Sequence, residues 1–423
     1  MRHNIWWLNH HAKLPVNGTG GRHYSLAKSL QKHGYKVTIV NGTFDHIVGS
    51  FDKHNTESEI NHIPLLRSYD GVDFCSIPTP PYKGNASIGR VKNMLAFYFG
   101  AMKYLRGKTV LPKPDLIIGS VVHPFAAYAG YKLSKYYKVP FVYEVRDLWP
   151  RTLVELGRIS PKHPFVILLD KLDGFLAKKA KLIITTAPLM KNHYKERFGI
   201  PEEKCLWITN GTSFTKNTPT PMRRIGKDEV IEVGYTGTIG LANGIKEFLE
   251  ELINVPEDII KRFKFTFVGP GPLKETLANY AKENGLPVVF GEAVPKDQMW
   301  NELLKFDMLL ITSLPTELYK YGISPNKLAE YHAAERPIVM IAKVSENPVL
   351  ISGSGYVTEQ IGNLSTLLKN ILNDTNETYQ LKASYGRKYA LEEYDWDILA
   401  LKLKKRLDFI VTIYEKEGKT LCF

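Results

Sequence analysis

The chain alternates short apolar runs with longer segments in which apolar residues recur every three or four positions. Residues 4–8 and 36–40 have the pattern of buried strands, and residues 22–33 between them have helical spacing that ends at Gly34. A glycine-rich turn, Asn17-Gly-Thr-Gly-Gly21, joins the first strand to the helix. This order of strand, glycine turn, helix and strand predicts a doubly wound α/β domain.

The same order of elements recurs in the second half of the chain. A strand at 230–235 is followed by the glycine loop 236–244 and a helix at 245–252. Residues 213–229 are polar, contain Pro219 and Pro221 and show no periodicity, which is typical of a domain boundary. We therefore predict an N-terminal Rossmann-like domain at 1–212, a linker at 213–229, a C-terminal Rossmann-like domain at 230–385, and a helical segment at 386–423 that returns to the first domain.

Length and charge narrow the range of partners. The 423 residues suit two domains, and the net charge of +13 favours an anionic partner, whether nucleic acid, an acidic membrane surface or a phosphate-bearing substrate. Three widely separated cysteines, Cys75, Cys205 and Cys422, argue against a disulfide framework or a zinc site and favour a reducing cytoplasm. Because no apolar run reaches the length of a spanning helix, we expect no signal peptide and only peripheral membrane contact.

One stretch, residues 321–340, combines a helix start with charged side chains. Ser324 before Pro325 predicts a hydroxyl N-cap and a proline at the first helical position, and Pro337 ends the helix before a buried strand. The positive end of a helix suits a phosphate. Lys327 and Glu330 share the first turns, where the cation suits a diphosphate and the carboxylate suits a ribose diol. The alternative is an ordinary capped surface helix with a Lys–Glu pair.

Polar residues also follow two predicted strands of the first domain. His123 comes after the strand at 114–119, and Arg146 and Asp147 follow the strand at 139–145, where open α/β sheets place their ligands. The alternatives are a structural histidine and an ion pair that fixes a loop.

An amphipathic helix is predicted at 89–108, with an apolar stripe and basic residues near both ends. It is either a core-facing helix or a basic, aromatic surface that rests on an anionic membrane leaflet.

The segment 322–339 resembles the nucleotide-sugar segment of family 4 glycosyltransferases of the GT-B fold, in particular the bacterial branch that builds O-antigen, capsule and exopolysaccharide. The string Glu144-Val-Arg-Asp-Leu-Trp-Pro150 is characteristic of the same branch. The resemblance implies an α/β fold with two Rossmann-like domains facing a cleft, retention of anomeric configuration, and neither a metal nor a cofactor.

The resemblance also implies roles for individual residues. It assigns catalysis to His123 and Asp147, and the cleft or acceptor side to Gly20, Gly21, Arg146 and Asn210. Donor binding falls to a larger set at the strand ends and helix start of the second domain: Glu330, Lys327, Asn326, Ser324, Thr236, Gly237, Thr238, Gly269 and Pro270.

The sequence departs from the family pattern at four positions. Gly322 stands where the family often has a first glutamate, and Glu335 stands where the helix usually ends on glycine. Thr238 and Asn243 occupy the approximate places of an arginine and a lysine that hold the diphosphate. Backbone amides, the hydroxyls of Thr236 and Thr238, and Lys327 are the groups left for that task.

We therefore expect transfer of an N-acetylhexosamine or related hexose from a UDP-sugar to an undecaprenyl-linked glycan, at the inner face of the cytoplasmic membrane. One alternative is a GT-B nucleotide-sugar epimerase or hydrolase that needs no acceptor. The other is a basic nucleic-acid-binding protein, which we disfavour because the chain shows no recognition-module pattern.

Overall fold

The structure is a computed structural model that describes residues 3–15, 20–45, 50–51, 63–84, 87–107, 109, 111–121, 123–155, 159–214 and 218–420. Residues 17–19 of the first glycine turn, and Cys422, lie outside this set. The chain divides into two compact units, one comprising Met1–Thr209 and Trp396–Phe423 and the other Asn210–Asp395. In this division the first unit's N-terminal segment ends at Thr209 where we expected 212, and the described residues of 213–229 belong to the second unit. The C-terminal segment that belongs with the first unit begins at Trp396 where we expected 386.

Each unit contains a sheet built around its first strand. The strands are β1 (His3–Leu8), β2 (Tyr35–Gly42), β3 (Phe44–Asp45), β4 (Ser50–Phe51), β5 (Leu65–Tyr69), β6 (Val72–Ile77), β7 (Leu116–Val121), β8 (Phe141–Val145), β9 (Leu182–Thr185), β10 (Cys205–Trp207), β11 (Ile231–Thr236), β12 (Phe263–Val268), β13 (Val288–Gly291), β14 (Met308–Thr312), β15 (Ile338–Ile341) and β16 (Gly355–Thr358).

The strand order is β10-β9-β8-β7-β1-β2-β6-β5 in the first unit and β13-β12-β11-β14-β15-β16 in the second. In these two sheets the described pairings are parallel except that of β5 with β6, and β3 and β4 form a separate antiparallel pair. The predicted fold class, an α/β protein with two Rossmann-like domains, is confirmed.

Most helices lie between these strands in the chain, and the last three follow β16. They are α1 (Arg22–Gln31), α2 (Ile88–Tyr104), α3 (Pro124–Tyr137), α4 (Arg151–Glu155), α5 (Pro164–Lys179), α6 (Met190–Phe198), α7 (Ile245–Leu252), α8 (Glu257–Ile260), α9 (Lys274–Glu283), α10 (Met299–Leu303), α11 (Asn326–Ala333), α12 (Pro348–Ser352), α13 (Leu364–Asn373), α14 (Asn376–Glu393) and α15 (Trp396–Thr420).

Helices cover both faces of the first sheet. Successive strand residues point to opposite faces, so each face carries apolar side chains that the helices bury. Trp7 and its alternate neighbours pack against apolar residues of α1 and α15, including Leu403. Trp6 faces the other way and packs in a cluster with Phe97 of α2 and Leu133 of α3. Both faces being buried explains why the strands read as nearly continuous apolar runs.

The helix predicted at 89–108 is α2, which has a buried face and an exposed aromatic residue. Met94 and Phe97 are buried, as a core-facing helix requires, whereas Phe99 is 63% exposed. Among the described residues, no helix has the length and apolarity to cross a bilayer.

A buried carboxyl group lies between α5, α6 and β8 of the first unit. Oδ1 of Asp173 accepts hydrogen bonds from the Tyr143 hydroxyl at 2.6 Å and the Tyr194 hydroxyl at 3.1 Å. Its Oδ2 has no hydrogen-bond partner among the described residues. Burial raises the pKa of Asp173 to about 7, although the two hydroxyls oppose the rise.

This raised pKa predicts a pH-dependent stability. The folded state holds a proton on Asp173 that the unfolded chain loses near pH 4, so its contribution to stability is present at low pH and is lost as pH rises toward 7. Asp173→Asn mimics the protonated form. Between pH 5 and pH 8, wild type should lose roughly 2–3 kcal/mol of unfolding free energy relative to the variant, at about 1.4 kcal/mol per pKa unit.

Urea unfolding at both pH values measures this difference. Asp258→Asn is the matched control, because it makes the same substitution at an exposed aspartate on α8 of the second unit. Equal pH slopes for wild type and Asp173→Asn would contradict the assignment.

Candidate functional site

The start of α11 is fixed against the carboxyl end of β11. The Tyr331 hydroxyl accepts a hydrogen bond from the Thr236 backbone N–H at 2.7 Å and lies 3.1 Å from the Thr236 hydroxyl. Tyr331 is fully buried, and Leu328 and Ala329 of the same helix pack in a cluster with residues of β14 and β15. These contacts set which helical residues face the glycine loop after β11.

Lys327 is the cation at this loop. Its Nζ lies 3.6 Å from the centroid of the Tyr235 ring, and a Cβ added to Gly237 would be 3.1 Å from the same Nζ. Burial lowers the pKa of Lys327 to about 7, while Glu330 opposes the shift. Burial also raises the pKa of Glu330, with Lys296 and Lys327 opposing it. Lys327 therefore lies at the glycine loop, and Glu330 interacts with it electrostatically, both partly shielded from water.

Two glycine turns run side by side at this edge of the second sheet. The Gly237 N–H donates to the Val268 carbonyl at 2.9 Å, and the Ile239 N–H donates to the Pro270 carbonyl at 2.8 Å. Gly269 has φ of +148°, and a Cβ there would be only 2.0 Å from the Gly237 carbonyl oxygen. Glycine is required at position 269 both for its backbone conformation and for this close approach.

The predicted cap of α11 is wrong. The helix begins at Asn326 with Pro325 in the capping position, and Pro325 makes no side-chain cap. The Ser324 hydroxyl instead accepts a hydrogen bond from the Asn210 backbone N–H at 2.8 Å, and the Asn210 side chain donates to the Ser324 carbonyl at 2.6 Å. The structure thus brings together two predicted site residues that are distant in sequence, Ser324 and Asn210.

The end of α11 shows how the chain accommodates glutamate at position 335, where the family usually has glycine. Glu335 adopts φ of +56°, the left-handed conformation that glycine usually supplies. The next residue, Arg336, is buried and donates to the carbonyls of Phe306 at 2.8 Å and Leu304 at 3.1 Å. These bonds fix the chain immediately after the strained residue.

His123 lies directly after β7, as predicted, at the N-terminus of α3. The structure groups it with two histidines that sequence reasoning did not single out. His10 Nδ1 is 2.6 Å from His123 Nε2, and the His10 and His11 rings stack at 4.5 Å. His123 is fully buried, and burial holds its pKa well below the ordinary value, with His11 and Arg90 adding to the effect.

The buried carboxylate of the Glu144–Pro150 string is Glu144 rather than Asp147. Glu144 Oε1 accepts from Arg22 Nε at 2.8 Å, and Oε2 lies 2.8 Å from His23 Nε2. Burial alone would raise the pKa of Glu144, but His23 and Arg22 outweigh it and hold the pKa well below the usual value. Arg22 also donates to the Ile208 and Thr209 carbonyls at 2.8 and 2.5 Å. The glycine turn at Gly20 and Gly21 therefore leads into a helix that is anchored by a buried ion pair.

Asp147 and Arg146 lie beyond the end of β8, outside this network. The Arg146 carbonyl accepts from the Thr186 hydroxyl at 2.8 Å. Asp147 is exposed as a residue, yet desolvation of its carboxyl group raises its pKa and Arg146 opposes the rise. Glu144 is therefore committed to the fold, whereas Asp147 combines an exposed residue surface with a desolvated carboxyl group.

Sequence reasoning missed Tyr331, His10, His11 and the Arg22–Glu144 pair. His10 and His11 follow β1 as His123 follows β7, and these two strands are neighbours in the sheet. Polar residues at the ends of adjacent strands were thus the available signal, but reading it required the strand order.

Two family models match successive parts of the chain. Residues 16–215 match Glycosyltransferase Family 4, and residues 231–374 match Glycosyl transferases group 1. A search of curated proteins found no significant match.

Solved structures share the fold at low identity. Anabaena Alr3699/HepE in complex with UDP and glucose has 16% identity and a TM-score of 0.64, covering 96% of this chain and 100% of that one. WaaG, a glycosyltransferase involved in lipopolysaccharide biosynthesis, has 14% identity and a TM-score of 0.62, covering 96% and 99%. The α,α-trehalose 6-phosphate synthase of Burkholderia multivorans has 12% identity and a TM-score of 0.68, covering 100% and 98%.

The close approach of the two glycine turns predicts that glycine-to-alanine substitution destabilises the protein more at position 269 than at a glycine with open space around it. Gly269→Ala should cost ~3 kcal/mol or more of unfolding free energy in the second unit, because the Cβ would overlap the Gly237 carbonyl. Gly285→Ala is the matched control, since Gly285 also has positive φ but has open space around it, and should cost about 1–2 kcal/mol. Similar losses for the two variants in chemical unfolding would show that the close approach carries no cost.

Proposed function

Since this chain is a glycosyltransferase of GT-B type, built from a family 4 domain and a group 1 domain, we propose that it transfers a sugar from a UDP-sugar to a lipid-linked glycan. The sugar is an N-acetylhexosamine or a related hexose, and the product belongs to bacterial surface polysaccharide. The observation that carries this proposal is the placement of Lys327 at the glycine loop of the second unit, with Glu330 one turn further along the same helix.

The donor diphosphate fits the start of α11. A helix N-terminus attracts phosphate through its dipole and free N–H groups, and the Lys327 ammonium lies beside the turn at Gly237. The second glycine loop carries Thr238 and Asn243 where arginine and lysine are expected, so Lys327 supplies the positive side chain. Thr236, Thr238 and Asn326 supply the remaining polar groups.

Glu330 and the turn at Gly269 and Pro270 suit the nucleoside. Glu330 lies one turn beyond Lys327 on the same face, and its carboxylate can accept two hydrogen bonds from a ribose diol. UDP is favoured as the nucleotide because the solved structures of HepE hold UDP, UDP-glucose, or UDP with glucose.

Catalysis in this proposal is positioning together with neutralisation of the leaving diphosphate. His123 orients the sugar, Asp147 receives the acceptor hydroxyl, and Arg146 lies next to that carboxylate. Gly20, Gly21 and Asn210 shape the acceptor side. Retention of anomeric configuration and independence from metal belong to the proposal on the strength of the family resemblance.

A lipid-linked acceptor requires a surface that meets the membrane. The first unit presents a basic-aromatic surface, which we define as Tyr98, Phe99, Tyr128, Lys132, Phe175 and Lys179. Its rings form a connected row across α2, α3 and α5, with centroid distances of 5.1 Å for Tyr98–Phe99, 5.6 Å for Tyr98–Tyr128 and 6.5 Å for Tyr128–Phe175. The two lysines lie over Tyr128 and Phe175 at 5.6 and 5.9 Å.

Large apolar side chains at and near this surface are exposed to solvent, as membrane binding requires. Phe99 is 63% exposed, and Leu168 on α5 is 55% exposed. Exposed rings beside lysines suit the headgroup region of an anionic leaflet, where each basic residue adds about 1 kcal/mol of attraction. We propose peripheral binding to the inner face of the cytoplasmic membrane through this surface.

Donor binding predicts a thermal shift that depends on two side chains. A UDP-sugar at about 100 times its Kd should stabilise the protein by about 2.7 kcal/mol, seen as a raised Tm across a panel of nucleotide sugars. Glu330→Ala and Lys327→Met should each remove most of this shift, because each loses a charge-assisted contact.

Lys382→Met is the matched control, since Lys382 lies over the Tyr356 ring at 4.7 Å in the same unit but away from the glycine loop. It should keep the full shift. Equal shifts in wild type and Glu330→Ala would place the nucleotide elsewhere.

Membrane docking predicts flotation with anionic vesicles but not with neutral ones at low salt. Replacing Lys132 and Lys179 by glutamate should lower the bound fraction roughly tenfold or more, because it reverses two attractive charges. Phe99→Ser together with Phe175→Ser should weaken binding at the same charge. Phe409→Ser is the control, because Phe409 is 62% exposed on α15, whose helix packs on the opposite face of the sheet. Undiminished flotation of both surface variants would exclude this surface.

A further inference from the structure

Two buried histidines meet at the carboxyl ends of neighbouring strands. His10 follows β1, His123 follows β7, and these strands pair in parallel. His10 Nδ1 lies 2.6 Å from His123 Nε2, a hydrogen-bond distance, and the residues are 1% and 0% exposed. The two rings are nearly perpendicular, at 86°.

His10 is held firmly in this position. The Phe97 ring stacks on it with a centroid distance of 4.5 Å and an interplanar angle of 13°. On another side, a Cβ added to Gly42 would be only 2.5 Å from His10 Cδ2. Because the ring is packed on both sides, His10 can hold its partner's orientation with little motion of its own.

His123 has one nitrogen with no such partner. Its Nδ1 is buried and makes no hydrogen bond to the described residues. Buried polar atoms without a partner are rare and call for an explanation, such as a group supplied by a ligand. Since burial keeps the His123 ring neutral, only one of its two nitrogens carries a proton, and the tautomer decides whether Nδ1 donates or accepts.

We propose that His10 fixes the orientation and the tautomer of His123, and that His123 Nδ1 is thereby the nitrogen offered to a hydroxyl of the donor sugar. His10 is then a positioning residue, which acts through His123 rather than on the substrate. This inference rests on the proposed function, because it takes His123 as the residue that orients the sugar.

A metal site is the competing interpretation of the same cluster. His10, His11 and His123 each offer a ring nitrogen, and these atoms lie within 4.8 Å of one another. However, two nitrogens bound to one tetrahedral zinc at about 2.05 Å lie about 3.3 Å apart. The 2.6 Å separation of His10 and His123 is shorter and corresponds to a hydrogen bond.

The tautomer can be measured directly by ¹⁵N NMR of protein labelled at histidine, with signals assigned by single substitution. Wild type should show one tautomer for His123. His10→Asn keeps a hydrogen-bonding group at the position of Nδ1 and should preserve that tautomer, whereas His10→Leu should give a mixture. Phe97→Leu removes the stacking ring but not the hydrogen bond, and serves as the packing control. A His123 tautomer that is unchanged in His10→Leu would overturn the inference.

Kinetics with the nucleotide sugar found by thermal shift supply the second readout. In His10→Leu, kcat should fall roughly tenfold, as for one lost hydrogen bond, with KM for the nucleotide sugar within about twofold. His10→Asn should recover most of kcat, and Phe97→Leu should lower Tm more than kcat. An unchanged kcat in His10→Leu would overturn the positioning role.

The experiments distinguish failure of the proposed function from failure of the inference about His10. If wild-type protein turns over no nucleotide sugar, the proposed function fails, while the NMR spectra still decide whether His10 sets the tautomer. One equivalent of Zn²⁺ retained by wild type after dialysis, and lost in both His10→Leu and His11→Leu, would replace the hydrogen-bonded pair by a metal site.

Discussion

The second unit depends on how α11 is held against the end of β11. The Tyr331 hydroxyl accepts a hydrogen bond at 2.7 Å from the backbone N–H of Thr236, the last residue of β11. This bond fixes the rotation of the helix, and one residue of a helix corresponds to about 100° of rotation. A shift by one position would turn Lys327 away from Gly237 and Glu330 away from the same face. A buried tyrosine thus helps to determine the position of two charged side chains on the same helix.

In the first unit, a buried ion pair fixes the position of a helix relative to the sheet. Glu144 at the end of β8 holds Arg22 and His23 at the start of α1, and Arg22 also satisfies two backbone carbonyls near the end of the unit. A buried ion pair is stable only where the remaining hydrogen-bonding groups are also satisfied. Here they are, so the network fixes the helix after the glycine turn. This leaves Asp147, three residues beyond Glu144, as the carboxylate of the segment that lies outside this network.

Local patterns predicted the elements well, and long-range contacts explain what was missed. The helix at 245–252 has the predicted bounds because its apolar period and flanking glycine lie within the segment itself. Ser324 was misassigned because the N-cap rule is local, whereas its actual partner, Asn210, lies 114 residues earlier. His10 was missed for the same reason, since its relation to His123 spans 113 residues and exists only once β1 and β7 are neighbours.

The proposed donor site relies on one lysine whose charge responds to its surroundings. With a pKa of about 7, Lys327 is only partly charged near neutral pH, because burial disfavours an isolated ammonium. A bound diphosphate would restore the full charge, at a cost of about 1.4 kcal/mol for each pH unit above that pKa. Thr238 and Asn243 add no permanent charge to the glycine loop. The proposed site therefore reaches its strongest positive field when the anion is present, and the empty site avoids the cost of a buried, unpaired cation.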